Sequence, residues 1–247
     1  MNRSPWPPPA GDPVPSRTSG IGIAAVFAGW VLAYLLAVVL GAALLGWAGL
    51  AEGESMPPWL VLCSSLVLWI PQLGMVWLVA NRLGSGRMRD DFGIRFSVRD
   101  LWGIPIGIAS QFILVNLVML PLRLAFPERF SVEEVERRAR ELVEGTNGWW
   151  WIAIVFVVVI GAPAVEELVY RGFIQGSLQE RVAPIVALLI AAAWFTVVHL
   201  QPVEFPGLFA FALVLGWCRM KTGNIGMAWV AHVAFNAAGL ALVIISA

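Results

Sequence analysis

Six side chains able to do acid–base or hydrogen-bond chemistry lie in stretches of this sequence that otherwise hold almost no charge. Glu166 and Glu167 close the apolar run WWWIAIVFVVVIGAPAV, and Arg171 follows four residues later. The two histidines, His199 and His232, sit in or at the end of apolar segments, and Asn236 comes four residues after His232. That spacing puts His232 and Asn236 on one helical face, a turn apart. A charged group inside a membrane span costs about 2.5–3.5 kcal/mol even on a forgiving scale, so apolar runs ordinarily exclude them. A carboxylate in a semi-dry site beside an imidazole can take a proton from water, the general-base role. The plainer reading is packing: a lone buried histidine is often a satisfied core residue, and His232 with Asn236 can serve as an interhelical link.

The spacings separate roles among these groups. Glu167 and Arg171 are four residues apart with the acid first, the favoured ion-pair orientation, so Glu167 is expected to fix the helix. Glu166 points about 100° away around the helix and is the expected chemical group. Glu166 and His199 are 33 residues apart, with their midpoint in the turn candidate Glu180–Pro184. An antiparallel hairpin about that turn sets the two at one depth. Continuing through turns near 202–205 and 221–224 brings His199 level with about residue 238, close to Asn236. Glu166, His199, His232 and Asn236, on three helices, can therefore converge. The polar residues of 166–181 place this half along a water-filled cavity or outside the bilayer.

The elements that carry these groups are apolar helices. Of 247 residues 59% are apolar and 13% charged, with a mean hydropathy of +0.80; soluble domains run at about 45–50% and 25%. Sixteen basic and sixteen acidic residues leave no net charge to attract nucleic acid. These figures exclude a soluble enzyme, a secreted disulfide scaffold and a disordered chain. Cys63 and Cys218 fall in apolar stretches and read as small core residues. The expected fold is all-α, a polytopic membrane bundle of about seven transmembrane helices at 21–50, 59–80, 101–122, 149–165, 182–199, 206–218 and 225–246. The proline-rich segment 1–20 is expected to be a disordered tail. Residues 21–148 are expected to form transmembrane helices with an amphipathic connecting helix, and 149–246 the segment that carries the chemistry.

One connection has structure of its own. Ser131 and Glu134 make a capping box, and Val132, Val135, Ala139, Leu142 and Val143 share a face, so 131–144 reads as an amphipathic helix on the bilayer. Trp149, Trp150 and Trp151 follow as an aromatic anchor. Eleven Lys and Arg residues fall on one side of the bundle and five on the other, which predicts a cytoplasmic N-terminus and an outside C-terminus. Gly172 and Gly176 form G-x-x-x-G, a spacing that favours close helix packing.

EELVYR (166–171), FTVVH (195–199) and HVAFN (232–236) have the forms E-E-x-x-x-R, F-x-x-x-H and H-x-x-x-N. Together they resemble the CPBP family, also called the Abi or CAAX-protease and bacteriocin-processing family, over about 149–240. The resemblance implies an intramembrane endopeptidase in a bacterial cytoplasmic membrane, acting on a membrane-associated peptide or protein. It implies that Glu166 and His199 activate the attacking water and that His232 and Asn236 hold the oxyanion. Glu167, Arg171 and Phe195 are the supporting residues. Members are commonly labelled metalloproteases; we expect no metal cofactor, because neither histidine has a second ligand one turn away. The alternative is zinc held by Glu166, His199 and His232.

Other membrane proteases are excluded by their missing motifs. There is no H-E-x-x-H, no G-x-S-x-G, and all four aspartates (Asp12, Asp90, Asp91, Asp100) lie in polar segments. A non-catalytic immunity or partner protein of the same family remains open. A proton-coupled transporter is disfavoured, because its polar groups usually recur in two related halves and here they are confined to 166–236.

Overall fold

The computed structural model describes residues 20–50 and 54–246. The expected tail at 1–20 thus lies, except for Gly20, outside the described residues. Among those described there are helices and no strands. Five helices are long and apolar enough to cross a membrane: α1 (Ile23–Ala48), α2 (Pro58–Leu83), α3 (Val98–Ala125), α5 (Trp150–Gln179) and α8 (Gly226–Ser246). Between them lie α4 (Val132–Glu144), the shorter apolar α6 (Pro184–Val198) and α7 (Phe205–Thr222). Every expected apolar segment becomes a helix. Seven full-length spans are not found, because α6 has 15 residues and α7 carries Arg219 and Lys221 in its last turn.

The largest departure from the sequence reading is α5. The apolar run was expected to end at the glutamates, yet the helix continues to Gln179. A helix propagates through backbone hydrogen bonds whatever its side chains, provided these find partners. Beyond Val165 the buried Glu167, Arg171 and Gln175 do, each making a hydrogen bond, and they lie on one stripe at i, i+4, i+8. The helix is also not uniform. Phe156–Gly161 and Glu167–Gln175 are wound as π-helix, on either side of an α-helical turn at Ala162–Glu166 that contains Pro163.

Glycine decides how closely the helices approach. A Cβ on Gly103 would stand 2.6 Å from the Met227 carbonyl and 2.7 Å from the Ala231 amide, and one on Gly107 would meet the Ala231 carbonyl oxygen. This G-x-x-x-G pair thus brings the α3 and α8 backbones into direct contact. Gly172 and Gly176 serve a different close approach. Gly172 admits the loop residue Phe92, whose Cβ lies 3.0 Å from where a Cβ would be, and Gly176 faces the Arg219 side chain. Phe92 is fully buried and meets Phe173 edge-on at 5.6 Å.

Helix α4 begins where expected, with the Ser131 hydroxyl accepting from the Glu134 amide at 3.1 Å. Only that half of the capping box is present. Part of its apolar face is covered by protein rather than by lipid: Val143 is buried with Val159, Leu240 and Val243, and Ala139 and Trp151 pack beside them. Trp149 stays exposed and stacks on Trp150 with ring centroids 3.8 Å apart. The outer faces of α1 and α2, including Leu32, Val39 and Ile70, are left uncovered. This is the distribution of an integral membrane protein, whose solvent at those faces is lipid.

Candidate active site

The stripe on α5 meets α6, α7 and α8 around one buried carboxylate. Glu167 has no exposed surface, and its Oε1 accepts from Arg171 Nη1 at 2.9 Å. The same oxygen lies 2.8 Å from His232 Nδ1 on α8. A carboxylate oxygen accepts, so the Nδ1 proton points at it and the ring's orientation is fixed. Arg171 donates a second bond, Nη2 to the Ala212 carbonyl of α7 at 3.3 Å. Its guanidinium carbon lies 4.4 Å from the centre of the Phe195 ring on α6, a cation–π contact strengthened by burial.

Glu166 has a different setting. Its side chain is 24% exposed, and its one close polar neighbour among the described residues is His232 Nε2, 3.8 Å from Oε2. That distance is too long for a hydrogen bond. His232 therefore lies between the two carboxylates, one at each ring nitrogen. Phe211 stands edge-on to its ring at 5.4 Å and Phe195 at 6.0 Å.

His199 sits at the C-terminal end of α6, with its Nδ1 2.6 Å from the Phe195 carbonyl oxygen. The carbonyl accepts, so the neutral ring keeps Nε2 as an acceptor. Its ring lies 4.5 Å from that of Phe195. Among the described residues no hydrogen bond or ion pair joins His199 to Glu166, the two groups expected at one depth; Glu166 faces His232. The next residue, Leu200, has φ of +55°, a left-handed conformation uncommon outside glycine and asparagine, and it turns the chain away immediately after the histidine.

Asn236 comes into the site from α8 one turn beyond His232. Its Nδ2 donates to the Val158 carbonyl at 2.8 Å. Phe195 is the shared wall: its ring contacts Arg171, His199 and His232, and Tyr170 meets it edge-on at 5.3 Å. Two further residues extend the polar stripe away from the glutamates. Gln175 Nε2 donates to the Gly216 carbonyl at 3.0 Å, and the buried Arg219 Nε donates to the Arg171 carbonyl at 3.3 Å. Arg171 and Gln175 thus clamp Ala212 and Gly216 of α7, four residues apart on both helices. The 167–171–175 spacing was the available signal for Gln175; nothing in the sequence singled out Arg219 beyond its charge.

Among the described residues no three His, Cys, Asp or Glu side chains stand together as a metal-ligand group. One nitrogen of each histidine is turned to a Glu167 or Phe195 oxygen, which leaves Nε2 of both rings free of a hydrogen bond among the described residues.

A membrane-helical bundle with a paired-glutamate, two-histidine, one-asparagine centre is the class that fold and site together define. Residues 148–238, under half of the chain, match the family model described as type II CAAX prenyl endopeptidase Rce1-like, and all three motifs lie inside the matched segment. At the level of that family the match implies CAAX intramembrane protease activity. Comparison with curated proteins and with solved structures gave no match.

Proposed function

We propose that this protein is an intramembrane endopeptidase that hydrolyses a peptide bond of a membrane-associated peptide or protein by glutamate- and histidine-activated water. The observation that carries the reading is the unequal treatment of two adjacent carboxylates. Glu167 is enclosed and held by Arg171 and His232, whereas Glu166 is partly open and has no hydrogen bond among the described residues. A held carboxylate positions; an open one can accept a proton.

In this reading Glu166 takes a proton from the attacking water, and His199 assists through the Nε2 that its bond to Phe195 leaves as an acceptor. The water oxygen attacks the scissile carbonyl carbon, and the oxyanion is held by the Asn236 amide and by His232. In its doubly protonated form that ring donates to Glu167 from Nδ1 and to the oxyanion from Nε2. Two such donors, fixed in place before the reaction, are the usual largest contribution to acyl-transfer catalysis. Collapse of the tetrahedral intermediate breaks the C–N bond, and the proton taken from water passes to the leaving amine. Burial of the aromatic wall excludes bulk water from competing. The chemistry as drawn needs no metal ion.

The test compares the membrane peptidomes of cells carrying wild-type protein and Glu166→Gln at matched abundance. We expect at least one C-terminally cleaved membrane peptide in the wild type that stays intact in the variant. Identical peptidomes, with a biological phenotype retained by Glu166→Gln, would support the non-catalytic partner reading instead.

A further inference from the structure

The bond from Asn236 to Val158 has an origin in the helix it reaches. In the π-wound segment of α5 the Ala162 amide bonds to the Val157 carbonyl, five residues back. Ala162 is the residue that an α-helix would turn on Val158. In the π register the next donor for Val158 is residue 163, which is proline and has no N–H. Both helical donors for this carbonyl are therefore lost, one to the change of register and one to the pyrrolidine ring. Asn236 Nδ2, arriving from α8 at 2.8 Å, takes the vacant place. An asparagine amide has two N–H groups, so this bond fixes its plane and leaves the second donor.

We infer that Pro163 is a positioning residue: by denying Val158 a helical donor it reserves that carbonyl for Asn236, and so aims the remaining amide N–H of Asn236. The inference deepens the hydrolase reading and rests on it for the consequence in catalysis, but the contact itself can be tested without any substrate. A proline inside a helix is ordinarily destabilising, and Pro163 lies three residues before the glutamates. Replacing it by alanine restores an N–H that competes for Val158, so the variant should gain helix stability while losing the orientation of Asn236.

The experiment is a double-mutant cycle on detergent-purified protein, read first as thermal midpoint. Pro163→Ala should unfold at or above the wild-type temperature. Asn236→Ala should lower the midpoint in the wild-type background and by less than about half as much in the Pro163→Ala background, where residue 163 now satisfies Val158. Equal shifts in the two backgrounds overturn the inference. Pro163→Ser, which carries the same N–H, gives an independent second row of the cycle. With a prenylated CAAX-type peptide as probe, Pro163→Ala should lower kcat about tenfold or more at nearly unchanged KM, since loss of one oxyanion donor costs about 10²–10³. Unchanged kcat in a variant that shows the stability coupling also overturns it. Absence of cleavage by the wild type would instead count against the hydrolase reading, and the thermal cycle alone would then decide the contact.

Discussion

His232 and Glu167, 65 residues apart in the chain, are joined by a buried contact of 2.8 Å between Nδ1 and Oε1, and Arg171 shares the same oxygen at 2.9 Å. Two helices meet at that oxygen, α5 supplying the acid and the arginine and α8 the imidazole, and Arg171 Nη2 reaches onward to the Ala212 carbonyl of α7. Removing the carboxylate charge leaves Arg171 buried without its counter-ion and His232 without its anchor. Glu167→Gln should therefore reduce stability by about 3–5 kcal/mol, the range for breaking a buried pair from one side. The check is protein abundance in membranes with thermal unfolding in detergent.

Glu166→Gln should behave in the opposite way. It keeps the shape of a partly exposed side chain with no hydrogen bond to lose, so abundance and unfolding temperature should match wild type while peptide cleavage is abolished. Equal loss of abundance in the Glu166 and Glu167 variants would refute the division of roles.

Hydropathy made the apolar helices legible because lipid exposure leaves a direct compositional mark on α1, α2 and α8. The Glu167–Arg171 pair was legible too, since i,i+4 geometry is local. What the sequence concealed is long-range or depends on winding. The extension of α5 past Val165 depends on partners for Glu167 and Gln175 that lie on α7 and α8. The facing of Glu166 to His232 rather than His199 depends on helix rotations that equal depth does not specify. The Asn236–Val158 bond depends on a π register with no sequence signature beyond Pro163. Motif spacing pointed to the right helices, but could not say which nitrogen faces which oxygen.

Gly107→Leu should prevent stable assembly. The Cβ alone would collide with the Ala231 backbone, and backbone cannot rotate away as a side chain end can. Overpacking of this kind costs about 1–3 kcal/mol or more. The expected result is loss of membrane-inserted, detergent-stable protein; the contrast is Gly41→Leu on α1, where a Cβ meets nothing within 4 Å and abundance should hold.

Metal dependence separates the two chemistries the residues could support. We expect purified protein to contain no stoichiometric zinc and to keep its peptidase activity after dialysis against a strong chelator. Zinc at one per chain, with activity lost on chelation and restored by zinc alone, would make Glu166, His199 and His232 the ligands.

Orientation in the membrane is expected from the eleven-to-five asymmetry of Lys and Arg. A reporter fused to the C-terminus should be active only outside the cytoplasm; a signal from a cytoplasmic reporter would reverse the topology.

The wedge of Phe92 against Gly172 also bears on traffic through the molecule. Below Glu166 on α5 come Arg171, Phe173, Ile174 and Gln175, all shut off from the exterior, with Phe92 seated beside them. Towards the loop at 84–97, α5 is thus packed closed by Phe92 against Gly172 and Phe173. In the hydrolase reading, a scissile segment would then enter sideways between helices or from the far end. The gap that admits it would read its sequence, and that gap would not be the face that Phe92 fills.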